Sequence, residues 1–205
     1  MTSGINSNRW ILLMIAGIPV IVILTASWLW FYVTSGKLDL VDILGTANRG
    51  TLLSPPVALD ELQVVDATGQ VFVDYHQEPA LWRIVIPGNA GCDVNCQQLL
   101  HYTRQIHTAM GKYQLRIQRV FLGLDMDGSE PLMTELATQY PEMKLLYTAA
   151  SRFQVVSSMK VQSGVKPPAY YLVDPNGWIM LAYSADADGK DLMADLKFLL
   201  KNSNG

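Results

Sequence analysis

The chain has 205 residues, of which half are hydrophobic and 16% charged, and its formal net charge is −3. That size allows one ordinary domain with something attached, and the composition excludes both a disordered tail protein and a highly charged nucleic-acid binder. Arg9 is the only charged side chain before residue 34, so the rest carries 14 basic and 18 acidic side chains, with no basic groove for nucleic acid and no polybasic membrane patch.

From Trp10 to Val33 run 24 residues without a charge, 20 of them hydrophobic. As a helix they reach about 36 Å at ~1.5 Å per residue, enough to cross a hydrocarbon core about 30 Å thick. Trp10 at one end and Trp28, Trp30 and Tyr32 at the other stand where amphipathic rings straddle lipid and water. Pro19 is tolerated in such a span. The run exceeds the ~7–15 apolar residues of a signal peptide and no small-x-small cleavage site follows it. It reads as an uncleaved transmembrane anchor, residues 10–33, behind a short leader, residues 1–9. Arg9 on one side and Lys37 and Arg49 on the other leave the orientation open.

Residues 34–60 read as a tether, punctuated by Gly36, Gly45, Gly50 and the pair Pro55–Pro56. Residues 61–205 then carry the elements of one domain. Leu62–Asp66 and Val71–Asp74 suggest a hairpin, and Leu81–Ile86 a compact strand ended by Pro87 and Gly88. Leu99, Leu100, Thr103, Ile106 and Met110 repeat at helical spacing within 97–111. A strand at 117–124 follows, then a helix opened by Pro131, a short strand at 145–147 and a helix at 152–160. Strands at 169–173 and 178–183 flank the turn Asp174-Pro175-Asn176-Gly177, and a helix at 191–201 buries Leu192, Leu196, Leu199 and Leu200. This order predicts an α/β thioredoxin-like fold, a mixed sheet flanked by helices, behind a single N-terminal transmembrane helix.

The only two cysteines, Cys92 and Cys96, sit in a small-residue turn between the first core strand and a helix. Free N–H groups and the helix dipole favour a thiolate there, as nucleophile or metal ligand. Inert thiols or a structural disulfide are the plainer alternative, although a bridge closing so short a loop stabilises little. If the pair is reactive, Cys92, ahead of the helix, is expected to be the more exposed and attacking thiol and Cys96 the resolving one.

The histidines offer no obvious metal site. His101 and His107 are six apart on one helix and cannot both face one ion, and His107 shares an apolar stripe that suits a core histidine. His76 lies in a loop before the core strand. Met110 and Met143 read as core filler, and Asp125 and Asp127 as turn residues.

The Cys92-Asp93-Val94-Asn95-Cys96 segment, the strand Val120–Asp125, the Pro131 helix and the stretch Tyr171-Leu172-Val173-Asp174-Pro175-Asn176-Gly177 together resemble the SCO/SenC proteins of respiratory copper assembly, over residues 62–201. Asp93 and Gln97 stand where that family has the prolines of C-P-x-x-C-P. The resemblance implies membrane-anchored thioredoxin-fold proteins that assist cytochrome c oxidase assembly, with an oxidase subunit or other assembly factors as partners. It also implies copper held by two cysteines, here Cys92 and Cys96, and a histidine nine residues before the turn proline. Lys166 occupies that histidine's place, so copper binding is expected to be weak or absent. Pro168 falls where the TlpA/ResA-type thioredoxin-like proteins carry a cis-proline beside their redox cysteines. Lys166 and Pro168 thus join the two cysteines as candidate site residues.

Three functions follow. The first is an SCO-like accessory protein acting as thiol–disulfide partner. The second is a TlpA/ResA-type thiol–disulfide oxidoreductase, and the third a non-catalytic thioredoxin-like interaction module. An oxidising compartment suits the cysteine pair, so the expected location is a bacterial inner membrane with the domain facing the periplasm.

Overall fold

A computed structural model describes residues 4–34, 48–72, 80–125, 130–162, 165 and 169–203. They fall into two compact units, divided between Ala47 and Asn48.

The first unit is the helix α1 (Gly4–Thr34), which begins six residues ahead of the apolar run. Its stretch Trp10–Tyr32 is long and apolar enough to cross a membrane. Ile11, Leu13, Ile18, Val22 and Leu24 are all exposed, and a helix apolar on every side needs a non-aqueous surround. The Thr25 hydroxyl donates to the Ile21 carbonyl at 2.9 Å, so this polar group is satisfied within the helix. Trp28 and Tyr32, one turn apart, pair with ring centroids at 4.6 Å.

In the second unit the elements are β1 (Thr51–Ala58), β2 (Trp82–Gly88), α2 (Val94–Ala109), β3 (Ile117–Leu124), α3 (Glu130–Gln139), β4 (Lys144–Thr148), α4 (Ala150–Gln162), β5 (Ala169–Val173), β6 (Trp178–Ser184) and α5 (Gly189–Asn202). The six strands form one sheet in the order β1-β6-β5-β2-β3-β4. β2, β3 and β4 run parallel, joined by helical crossovers; β5, β6 and β1 are antiparallel additions. Mixed pairing of this kind, with the sheet flanked by helices, is the thioredoxin-like arrangement the sequence predicts.

Both faces of the central strands are covered, which is why their sequences are nearly unbroken apolar runs. Ile84 and Ile86 of β2, Phe121 of β3 and Leu172 of β5 pack with Leu99, Leu100 and Ile106 of α2, Leu136 of α3, and Leu192, Leu196 and Leu200 of α5. The alternate residues Val85, Val120, Leu122, Tyr171 and Val173 pack with Phe153 and Val156 of α4. Arg119 interrupts the first face yet is fully buried. It donates to the Leu100 carbonyl at 2.6 Å and to Glu142 at 3.1 Å, and lies over the Tyr140 ring, which ties β3 to α2.

Two sequence expectations need correction. Thr51–Ala58, read as the end of the tether, is a strand paired with β6 from Thr51↔Ala182 to Ala58↔Trp178, its register shifting between Leu52 and Val57. Pro55 and Pro56 disguise it, because proline is tolerated in an edge strand whose outer N–H groups need no partner. The hairpin over 62–74 is reduced to a single bridge, Val65↔Val71, around a turn in which Asp66 accepts from Thr68 and Gln70; residues 73 and 74 lie outside those described. Val65 also bridges Tyr147, capping the β4 edge instead of forming a ladder of its own.

The entry to the domain is fastened by a buried carboxylate. Asp195 of α5 accepts from the Arg49 and Gly50 backbone N–H groups at 3.0 and 2.9 Å and from the Tyr183 hydroxyl at 2.7 Å. A side chain at position 50 would run into the Tyr183 ring.

Candidate functional site

The cysteines follow the carboxyl end of β2, one of the two innermost strands of the sheet. After Gly88 the chain turns. The Asn89 side chain accepts from Gly91 N–H at 3.1 Å, and the Asn89 carbonyl accepts from Cys92 N–H at 3.1 Å. Cys92 itself has φ of 25°, in the left-handed region that non-glycine residues rarely occupy. Asp93 is extended and caps α2, its carboxylate accepting from Cys96 N–H at 2.9 Å. That cap starts the helix at Val94, three residues earlier than the apolar spacing predicts, because Asp93, Val94 and Asn95 add nothing to the buried stripe.

Cys92 and Cys96 form a disulfide with 5.1 Å between their Cα atoms. Both are buried, Cys92 to 2% exposure and Cys96 to 8%. This overturns the expectation that the first cysteine is the more exposed. The left-handed turn tucks Cys92 into a cavity of about 230 Å³ that it shares with Leu100, Leu132, Leu136 and Tyr140. Cys96 borders a different cavity of about 330 Å³, shared with Pro87, Gly88, Asn89, Asp93, Asn95 and Leu99. A Cβ added to Gly88 would lie 3.3 Å from the Cys96 sulfur and overlap the Phe121 ring. Glycine there lets the sulfur approach the strand.

The other candidates separate. His107 is buried on α2 with Nε2 at 2.9 Å from the Ile117 carbonyl and 3.2 Å from that of Gln114, a satisfied core histidine. His101 is exposed, bonds Gln105 on the next turn and borders the Cys92 cavity, a position the sequence analysis passed over. Met110 and Met143 are core residues. Asp125 caps α4 through Ala150 N–H at 2.9 Å. Lys166, Pro168, His76 and Asp127 lie outside the described residues.

Among the described residues no group of three His, Cys, Asp or Glu side chains could hold a metal ion. Cys92 and Cys96, once reduced, supply two soft sulfur donors suited to copper(I), but in the disulfide they have no thiolate to give. The site as built is a disulfide at the head of α2. Gly88, Asn89 and Asp93 belong to it as well. Asp93, three residues before Cys96, was a readable cap signal, whereas nothing local marks Gly88.

Residues 82–203 match the family model described as transmembrane-like, thioredoxin-like, C-terminal domain. No curated protein matches the chain in sequence. Among solved structures, apo Sco1 from Thermus thermophilus is similar with a TM-score of 0.53 at 18% identity, covering 76% of this chain and 98% of that one. Yeast Sco1 with copper bound gives 0.52 at 19% identity, covering 78% and 97%. Arabidopsis thaliana ScoI with copper bound gives 0.51 at 12%, covering 72% and 98%. At these identities the likeness is one of fold.

Proposed function

Because the chain belongs to the transmembrane-like, thioredoxin-like C-terminal domain family, we infer that it is a membrane-anchored, SCO-like accessory protein of cytochrome c oxidase assembly, acting through Cys92 and Cys96 as a thiol–disulfide pair with weak or absent copper binding. One observation carries this reading: the only two cysteines are joined in a disulfide at the head of α2, where each cysteine borders a cavity. A purely structural bridge across four residues adds little stability. Placed beside a cavity, it is better suited to exchange with a partner's thiols. Copper enters only as a ligand of the reduced cysteines. Lys166, where the SCO/SenC pattern has histidine, gives no lone pair while protonated and repels the ion. Pro168, matching the TlpA/ResA proline, would present the partner's cysteine segment to the pair. The anchor holds the domain at the periplasmic face of the inner membrane.

The test is exchange with the natural class of partner. The oxidised full-length chain in detergent is mixed with the reduced soluble copper domain of an oxidase subunit, and thiols on both proteins are counted by mass after alkylation. Transfer of the disulfide, lost when both cysteines are replaced by alanine, is the expected result. An inert pair, with no thiol change on either protein, would overturn the proposal and favour a non-catalytic interaction module.

A further inference from the structure

Charge is spread unevenly over the domain. Residues 48–205 hold 13 basic and 16 acidic side chains, yet residues 111–118 and 196–203 hold Lys112, Arg116, Lys197 and Lys201 and no acidic one, which leaves 9 against 16 elsewhere. The fold brings these two segments together. Arg116 ends the short helical turn Gly111–Arg116 that leads into β3. Its guanidinium donates to the Leu200 carbonyl at 2.8 Å and to the Ser203 carbonyl and hydroxyl at 3.2 Å, at the carboxyl end of α5. The expectation of no polybasic patch fails here because the cations come from segments that meet across 84 positions.

Two apolar side chains stand out among these cations. Leu115 is 86% exposed and Phe198 62%, and neither belongs to the hydrophobic core. On α5, Phe198 shares the outer face with Lys197 and Lys201, opposite the buried Leu192, Leu196 and Leu200. Lysines near the end of a helix suit its dipole without any partner. The dipole gives no reason for an exposed leucine and phenylalanine. Cations around exposed aliphatic and aromatic side chains are the pattern that settles into a lipid headgroup layer.

We propose that this surface rests on anionic lipid headgroups through Lys112, Lys197 and Lys201, with the charge of Arg116 behind them and with Leu115 and Phe198 reaching toward the acyl boundary. The inference goes beyond the exchange function and rests on the anchor alone.

Reach and sign favour lipid over an acidic protein. Thirteen residues separate Thr34 from Asn48, and fully extended they cover at most about 50 Å. A domain of this size is about 40 Å across, so a bilayer that holds the anchor stays within its reach. Tethering supplies the effective concentration that lets a weak patch bind. Each basic side chain near an anionic surface raises affinity by about fivefold, and the acidic remainder of the domain is repelled. Asp60, Glu61 and Asp174 also lie toward this end of the sheet, in the turns after β1 and β5; Asp174 is spent on the Asn176 and Trp178 N–H groups.

The placement has a consequence for the disulfide. β2 and β3 both begin at this end, with Trp82 opposite Ile117, whereas Cys92 and Cys96 follow the other end of β2. The strand puts about 20 Å between the two ends. Contact through Leu115 and Phe198 therefore turns the cysteines away from the lipid and toward a partner's soluble domain.

The full-length chain is placed in nanodiscs of phosphatidylcholine, or of phosphatidylcholine and phosphatidylglycerol in equal parts. Its amines are acetylated in a brief pulse and located by mass. Lys112, Lys197 and Lys201 are expected to react at least about threefold more slowly in the anionic discs, while Lys190, in the first turn of α5 and paired with Asp188, stays within about 1.5-fold. Lys197→Glu combined with Lys201→Glu, both at exposed positions, is expected to return Lys112 to its rate in neutral discs. Equal reaction of the three lysines in both discs overturns the proposal, and so does protection that survives these two substitutions. Protection that appears in neutral discs only on adding the soluble copper domain of an oxidase subunit overturns it too, in favour of an acidic protein face. All three results leave the exchange function standing. A chain recovered outside the discs overturns the anchor together with the proposal.

Discussion

Replacing Asp195 by alanine removes the acceptor on which the start of the domain closes. Three donors lose their partner together: Arg49 N–H, Gly50 N–H and the Tyr183 hydroxyl, the last at 2.7 Å from Oδ2. A buried donor left without an acceptor costs about 1–3 kcal/mol, and hydrogen bonds to a charged group lie toward the upper end. Arg49 is exposed, so its amide finds water and its share is small. Gly50 and Tyr183 are buried and find none. The sum is about 3–5 kcal/mol, a large part of the ~5–15 kcal/mol by which domains of ordinary size are stable. Asp195→Asn keeps one oxygen and is expected to cost about half as much. Urea unfolding of the full-length chain in detergent measures the total, and hydrogen exchange at the Gly50 amide separates local release of the segment from global unfolding. A loss below about 1 kcal/mol for Asp195→Ala, with Gly50 still protected, would refute the reasoning, since the carboxylate would then be dispensable to its donors.

Three more outcomes are expected. The hydroxyls of Tyr170, Tyr171 and Tyr183 have pKa values raised above the ordinary phenol value by burial, with Tyr183 raised further by its bond to Asp195. Stability from a raised pKa is whole below the unfolded value near 10 and is lost as pH climbs toward the folded one. Ultraviolet titration should therefore show these rings ionising only together with unfolding, and reversible ionisation of all tyrosines near pH 10 in the folded state would contradict it. Lys166→His should bring the reduced chain a coloured copper(II)–thiolate complex that the unmodified chain lacks, read by visible absorbance; equal colour from both would mean that another ligand completes the site. After mild reduction of intact cells, a membrane-impermeant maleimide should label Cys92 or Cys96, and labelling seen only after lysis would place the domain on the other side of the membrane.

Much of the fold was legible in the residues because the central strands and the amphipathic helices announce themselves by composition and period. Ile117–Leu124 and Ala169–Val173 are apolar runs buried on both faces, and the Asp174–Gly177 turn has few alternatives, with Asp174 accepting from Asn176 and Trp178. The apolar helix was as plain, since 24 uncharged residues are enough to cross a membrane and the structure makes Trp10–Tyr32 one continuous helix of that length. The adjacency of Cys92 and Cys96, and the helix that follows them, likewise needed no partner from afar.

What tertiary structure alone decided were the features whose cause lies at long range. The strand Thr51–Ala58 exists because β6 offers its open edge, not because Pro55 and Pro56 favour extension within a sheet. Asp195 reads as one more polar residue on α5 until Arg49 and Gly50, roughly 145 positions earlier, are brought to it. Gly88 matters only because Phe121 and the Cys96 sulfur arrive beside it from two other elements. The relative burial of the two cysteines follows the same rule. Local spacing puts Cys92 ahead of the helix and suggests exposure, but the left-handed turn carries it under Leu132 and Leu136 of α3, and close packing against a residue distant in sequence overrides what its neighbours imply.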